Sequence, residues 1–115
     1  MSYKFKEIWC NKGNFTESNR KSSEIDTLVI HYTGNNGDTA ENNGNYFKNN
    51  AVETSAHYFV DDTTVVRSVA DKNIAWHAGD WDINCRSIGI EIAGSTTECT
   101  GKTLENVIAL TKGLM

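Results

Sequence analysis

The chain has 115 residues, enough for one domain and too few for two. Eleven Lys and Arg against fifteen Asp and Glu give a net charge of -4, which removes the electrostatic drive toward nucleic acid or an anionic membrane surface. The apolar runs are too short to span a bilayer, and charges at Lys4 and Lys6 occupy the place where a signal peptide needs its apolar segment, so synthesis in the cytoplasm without a Sec signal is expected. Cys10, Cys85 and Cys99 are an odd set without C-x-x-C spacing, which suggests free thiols rather than a disulfide framework or a cysteine-rich zinc knuckle.

Residues 1–24 are polar with scattered rings (Tyr3, Phe5, Trp9, Phe15) and read as an irregular arm resting on the domain formed by residues 25–115. Thr27 to Thr33 is β-branched and aromatic and is closed by Gly34-Asn35-Asn36-Gly37, which predicts a strand ending in a turn, with His31 near its C-terminal end. Asp38 followed by Glu41 resembles a capping box, and Ala40, Phe47 and Ala51 recur at helical spacing, so a helix is predicted over 39–50 despite Gly44. Ser55 to Val60 and Thr64 to Val69, separated by a turn at Asp61-Asp62, predict an antiparallel hairpin. Ile74 to Trp81 has no period and reads as a loop carrying Trp76, His77 and Trp81.

Ser87 to Ala93 alternates: Ile88, Ile90 and Ile92 share one face, and Ser87, Gly89, Glu91 and Ala93 share the other, which has room above it. Leu104, Val107, Ile108 and Leu114 keep helical spacing from about residue 102. The order predicts an α/β fold, a mixed central sheet of four strands with flanking helices.

Glu91 is an isolated carboxylate among small residues on an apolar strand, the setting of a general base, or of a solvated side chain if that face is wet. His31 suits a metal ligand or a hydrogen-bonded structural histidine. Trp76 and Trp81 can stack on a sugar or peptide, or plug the edge of the core. No H-E-x-x-H pair, G-x-S-x-G elbow, phosphate loop or dinucleotide fingerprint is present.

Leu28 to Gly34, Ser55 to Asp62, Ala75 to Gly79 and Arg86 to Glu91 together resemble, in order and spacing, the zinc N-acetylmuramoyl-L-alanine amidases. That family includes many phage endolysins and is related to the peptidoglycan recognition proteins. The resemblance covers about residues 25–115 and implies hydrolysis of the amide between N-acetylmuramic acid and L-alanine in peptidoglycan, at the bacterial cell wall after release from the cell. It implies His31 as a zinc ligand, Glu91 as the general base, and His57, Trp76 and His77 as substrate-binding residues. Relatives take two further zinc ligands, with a strand and a helix, from a segment following the last helix seen here. Only one of the three ligands is then present, and activity of this chain alone is not assured. The alternatives are a metal-free peptidoglycan-binding module, or self-association through the surface that the absent segment would cover.

Overall fold

The computed structural model describes residues 3–94 and 99–115. The arm is more regular than its composition predicts. Strand β1 (Lys4–Glu7) pairs parallel to a central strand, and the short strand β2 (Phe15–Thr16) follows. All four β1 residues are exposed, so no alternation marks the strand; its lysines and glutamate suit a sheet edge that must stay solvated.

Strand β3 (Thr27–Asn36) runs past the predicted turn, with an irregularity in its pairing between Tyr32 and Asn36, and the chain reverses at Gly37, whose φ is 78°. Helix α1 (Ala40–Asn49) forms as expected but is capped one residue later: Thr39 accepts from the Asn42 amide, and Asn42 accepts in return from the Thr39 amide. Gly44 is the reason this helix can lie on the sheet. A Cβ there would stand 2.9 Å from the Val66 Cγ1.

The predicted hairpin is β4 (Tyr58–Val60) antiparallel to β5 (Thr64–Arg67). The stretch read as a loop contains a short strand, β6 (Ile74–Ala75), which pairs with β2, and a short helix, α2 (Trp81–Arg86), capped by Asp80. At six residues α2 is too short to show an apolar period. Strand β7 (Ser87–Gly94) and helix α3 (Gly101–Leu114) match the sequence reading.

The main sheet has five strands rather than four, in the order β1-β5-β4-β7-β3. Strand β7 is parallel to both of its neighbours, and the hairpin contributes the antiparallel pair. On one face Tyr58, Val60, Val65 and the three isoleucines of β7 pack against Val107 and Leu110 of α3. Asn106 of α3 donates to the Asp61 carbonyl at 2.9 Å, fixing the helix to the hairpin turn. On the other face Phe59 and Val66 pack with Ala40, Ala56, Ile8 and Phe47, and the Phe47 and Phe59 rings stack with centroids 5.4 Å apart. The three thiols are unpaired.

The arm is anchored by a buried polar side chain. The Asn14 carboxamide donates to the carbonyls of Phe47 and Asn50 and accepts from the amides of Val52 and Glu53, so it closes the C-terminal end of α1 and fixes the turn after it. Replacing Asn14 by Ala leaves these backbone groups without partners and is expected to cost about 2–4 kcal/mol in a denaturant melt. A change below about 0.5 kcal/mol would show that the arm is not tied in this way.

Candidate active site

The open face of β7 is the floor of the site. Ser87, Gly89 and Glu91 project from it at alternate positions, and each has a different use. Ser87 Oγ lies 2.9 Å from His77 Nε2. Gly89 leaves the gap that the His77 ring fills: a Cβ there would stand 2.6 Å from the ring carbon Cγ. Glu91 pairs in register with His31 on β3 and with Phe59 on β4.

His77 reaches back to the first strand, its Nδ1 being 3.3 Å from His31 Nε2, with the two rings edge-to-face at 71°. The loop that delivers His77 is held by the buried Asn84 side chain, whose oxygen accepts from the Ala78 amide at 2.9 Å.

Glu91 also lines a cavity of about 540 Å³ between the sheet and α1. The opposite wall carries Asp38, Asn42, Asn43 and Tyr46, with Thr54 and Ser55 at another side. Asp38 accepts from the Gly94 amide at 2.6 Å and from the Asn43 side chain at 2.7 Å, so this carboxylate joins the end of β7 to α1 instead of capping the helix. Burial pushes the Glu91 carboxyl up to about 7, and the nearby Asp38 charge pushes in the same direction.

The sequence-selected residues separate into two groups. Glu91, His31 and His77 come together. His57 does not face the groove, which corrects the expectation from the resemblance: it is 0% exposed and both ring nitrogens are used internally. Its Nδ1 accepts from the Gly89 amide at 3.0 Å, so Nε2 carries the proton and donates to the Asn73 carbonyl at 2.8 Å. The Trp76 indole is likewise tied elsewhere, donating to Thr16 Oγ1 at 2.9 Å. Its backbone carbonyl holds Thr54 and Ser55 in the cavity wall, so Trp76 shapes the groove through its main chain.

One site-forming residue gave no sequence signal. Arg20, in the arm, is 8% exposed. One terminal nitrogen donates to the carbonyls of Asn84, Cys85 and Ser87, and the other to those of Asp71 and Asn73. The guanidinium thereby fastens the turn before β6 and the C-terminal end of α2 to the start of β7. It also lies 3.1 Å from His57 Nε2. Burial is the main cause that holds His57 at about 4, and the Arg20 charge adds to it. His77 is lowered to about 4 by burial, then by the charges of His31 and Arg20, and burial also lowers His31.

This arrangement has recognisable relatives. Residues 21–115 match the Amidase_2 family model, described as N-acetylmuramoyl-L-alanine amidase. The chain belongs to the N-acetylmuramoyl-L-alanine amidase family. The amidase CwlA of Bacillus subtilis is 41% identical over 71 residues, covering 59% of this chain and 26% of CwlA. XlyA of the same organism is 36% identical over 92 residues, covering 76% of this chain and 31% of XlyA. The chain therefore spans less than a third of these relatives' length. The solved catalytic domain of XlyA superposes with a TM-score of 0.82 at 29% identity, over 96% of this chain and 74% of that one. The catalytic domain of PlyG gives a TM-score of 0.82 at 25% identity, over 97% of this chain and 70% of that one.

Members of this family are generally zinc-dependent. Among the described residues no three His, Cys, Asp or Glu side chains converge as a metal site. A catalytic zinc takes three protein ligands and a water, so the donors among the described residues do not complete one. No helix among the described residues is long and apolar enough to cross a membrane.

The histidine shifts set a pH dependence. Unfolded histidines bind protons below about 6.5, whereas folded His57 and His77 stay neutral down to about 4. Between those values each of these two rings binds more proton in the unfolded state, and Glu91, raised to about 7, offsets one of them, so stability should fall as pH drops, by a net of about 2 kcal/mol between urea melts at pH 6.5 and pH 4.5. Equal stability at the two values would show that these rings are not buried neutral.

Proposed function

We propose that the chain contributes the catalytic floor for hydrolysis of the amide between the lactyl group of N-acetylmuramic acid and the L-alanine of the peptidoglycan stem, at the bacterial cell wall. The observation that carries this reading is Glu91: a carboxyl on a cavity wall, beside His31, whose protonation midpoint near 7 suits a base that must also return its proton. An amide is a poor electrophile with a poor leaving group. Glu91 accepts a proton from the attacking water as the oxygen bonds to the carbonyl carbon, then gives it to the nitrogen as the carbon–nitrogen bond breaks. His77 orients His31 from its seat on Gly89, and the Asp38 charge helps to keep Glu91 basic.

His31 is the donor this chain offers to zinc, which when bound supplies a Lewis acid for the carbonyl. The described residues do not complete that site. The incomplete donor set also supports a second reading, in which this chain by itself binds peptidoglycan without cutting it.

Incubation with purified cell walls separates the two. Hydrolysis predicts new N-terminal L-alanine, reduced at least about a hundredfold in Glu91→Gln. Co-sedimentation with walls without new N-termini would favour the binding module. Neither release nor sedimentation would overturn both readings.

A further inference from the structure

Resting on the amidase reading, we propose that the cavity beside Glu91 selects stem peptides by charge, accepting a carboxamide in place of the carboxylate on the second stem residue. The cavity holds two carboxylates, Asp38 and Glu91, and three carboxamides, Asn35, Asn42 and Asn43. Among the described residues that line it, none is Lys, Arg or His. A carboxylate brought into the metal-free cavity finds no cationic side chain among those lining residues to pair with, and it is repelled by Asp38 and by the ionised fraction of Glu91.

The placement of the stem follows from the length of a peptide unit. Glu91 stands at the scissile bond in this reading, and successive residues advance about 3.8 Å, so the second stem residue lies within roughly 8 Å of Glu91 whichever way the stem runs. That is inside the screening length of physiological salt, about 8–10 Å, so the charge on that residue is felt by the wall. A carboxamide at the same place carries no charge and can both donate to and accept from the asparagine side chains. Asp38 is fixed by the Gly94 amide and the Asn43 side chain, so it cannot swing away from an incoming anion.

The probes are N-acetylmuramyl-L-alanyl-D-isoglutamine and N-acetylmuramyl-L-alanyl-D-glutamate, which differ by one carboxamide for one carboxylate. Amide-shift titrations of the whole chain by NMR should show the carboxamide probe binding about fivefold more tightly at low salt, with the gap narrowing as salt is raised. Two exposed positions on the cavity rim, Asn35 and Tyr46, allow a cation to be added without disturbing the core. Tyr46→Lys should close or reverse the gap, and Asn35→Lys provides the same test should the first variant fail to fold. Equal affinities, or a preference for the carboxylate probe, would overturn the charge selection while leaving the amidase reading intact. Failure of both probes to bind would overturn that reading and this inference with it.

Discussion

The parallel pairing of β3 with β7 is the constraint on which the site depends. It sets His31 opposite Glu91 without help from any loop, because register in a sheet is fixed by its apolar face. Ile88, Ile90 and Ile92 are buried against α3, and a slip by one residue would turn them toward the site and set Ser87, Gly89 and Glu91 against α3 instead. The same burial that stabilises the fold therefore aims the chemistry. Parallel strands covered on both faces are the usual way to build such a rigid floor, and the fold supplies α3 on one face and α1 on the other.

The arm completes what the sheet begins. Asn14 and Arg20 are buried polar side chains whose partners are mostly backbone carbonyls and amides of segments far along the chain. Asn14 sets the turn that leads into Thr54 and Ser55 of the cavity wall, and Arg20 ties the turn before β6 and the end of α2, whose Asn84 side chain holds the His77 loop, to β7. Loops around an active site are inherently mobile, and a charge sealed among carbonyls holds them with a directionality that apolar contacts lack. His57 belongs to this supporting layer. Its proton is committed to Asn73 and its lone pair to Gly89, so it braces the strand below the reacting groups.

The floor was legible in the sequence because a strand has period two: the alternation from Ser87 to Ala93 separates the core residues from Glu91 by inspection. The hairpin and both long helices were legible for the same reason, each carrying an apolar period over enough residues. Strand β1 and helix α2 were not. One is exposed on both faces and the other is a single short stretch set by the Asp80 cap. Asp38 reads as a helix cap because its spacing to Glu41 satisfies that pattern, but Thr39 takes the cap and frees the carboxylate for Gly94 and Asn43. His57 precedes a buried strand, and nothing in its neighbours indicates that its ring turns inward to a backbone amide. Arg20 binds carbonyls, which every residue possesses, so its partners have no sequence signature.

Catalysis on this floor depends on Glu91 being a carboxyl whose surroundings raise its midpoint to near neutral pH. Carbon-detected NMR titration of its side-chain carboxyl in the metal-free chain tests this directly. The expected midpoint is near 7, moving down in Asp38→Asn as the neighbouring charge is removed. A midpoint near the ordinary value of 4.5 would contradict it, and would place Glu91 on a wet face as a solvated side chain.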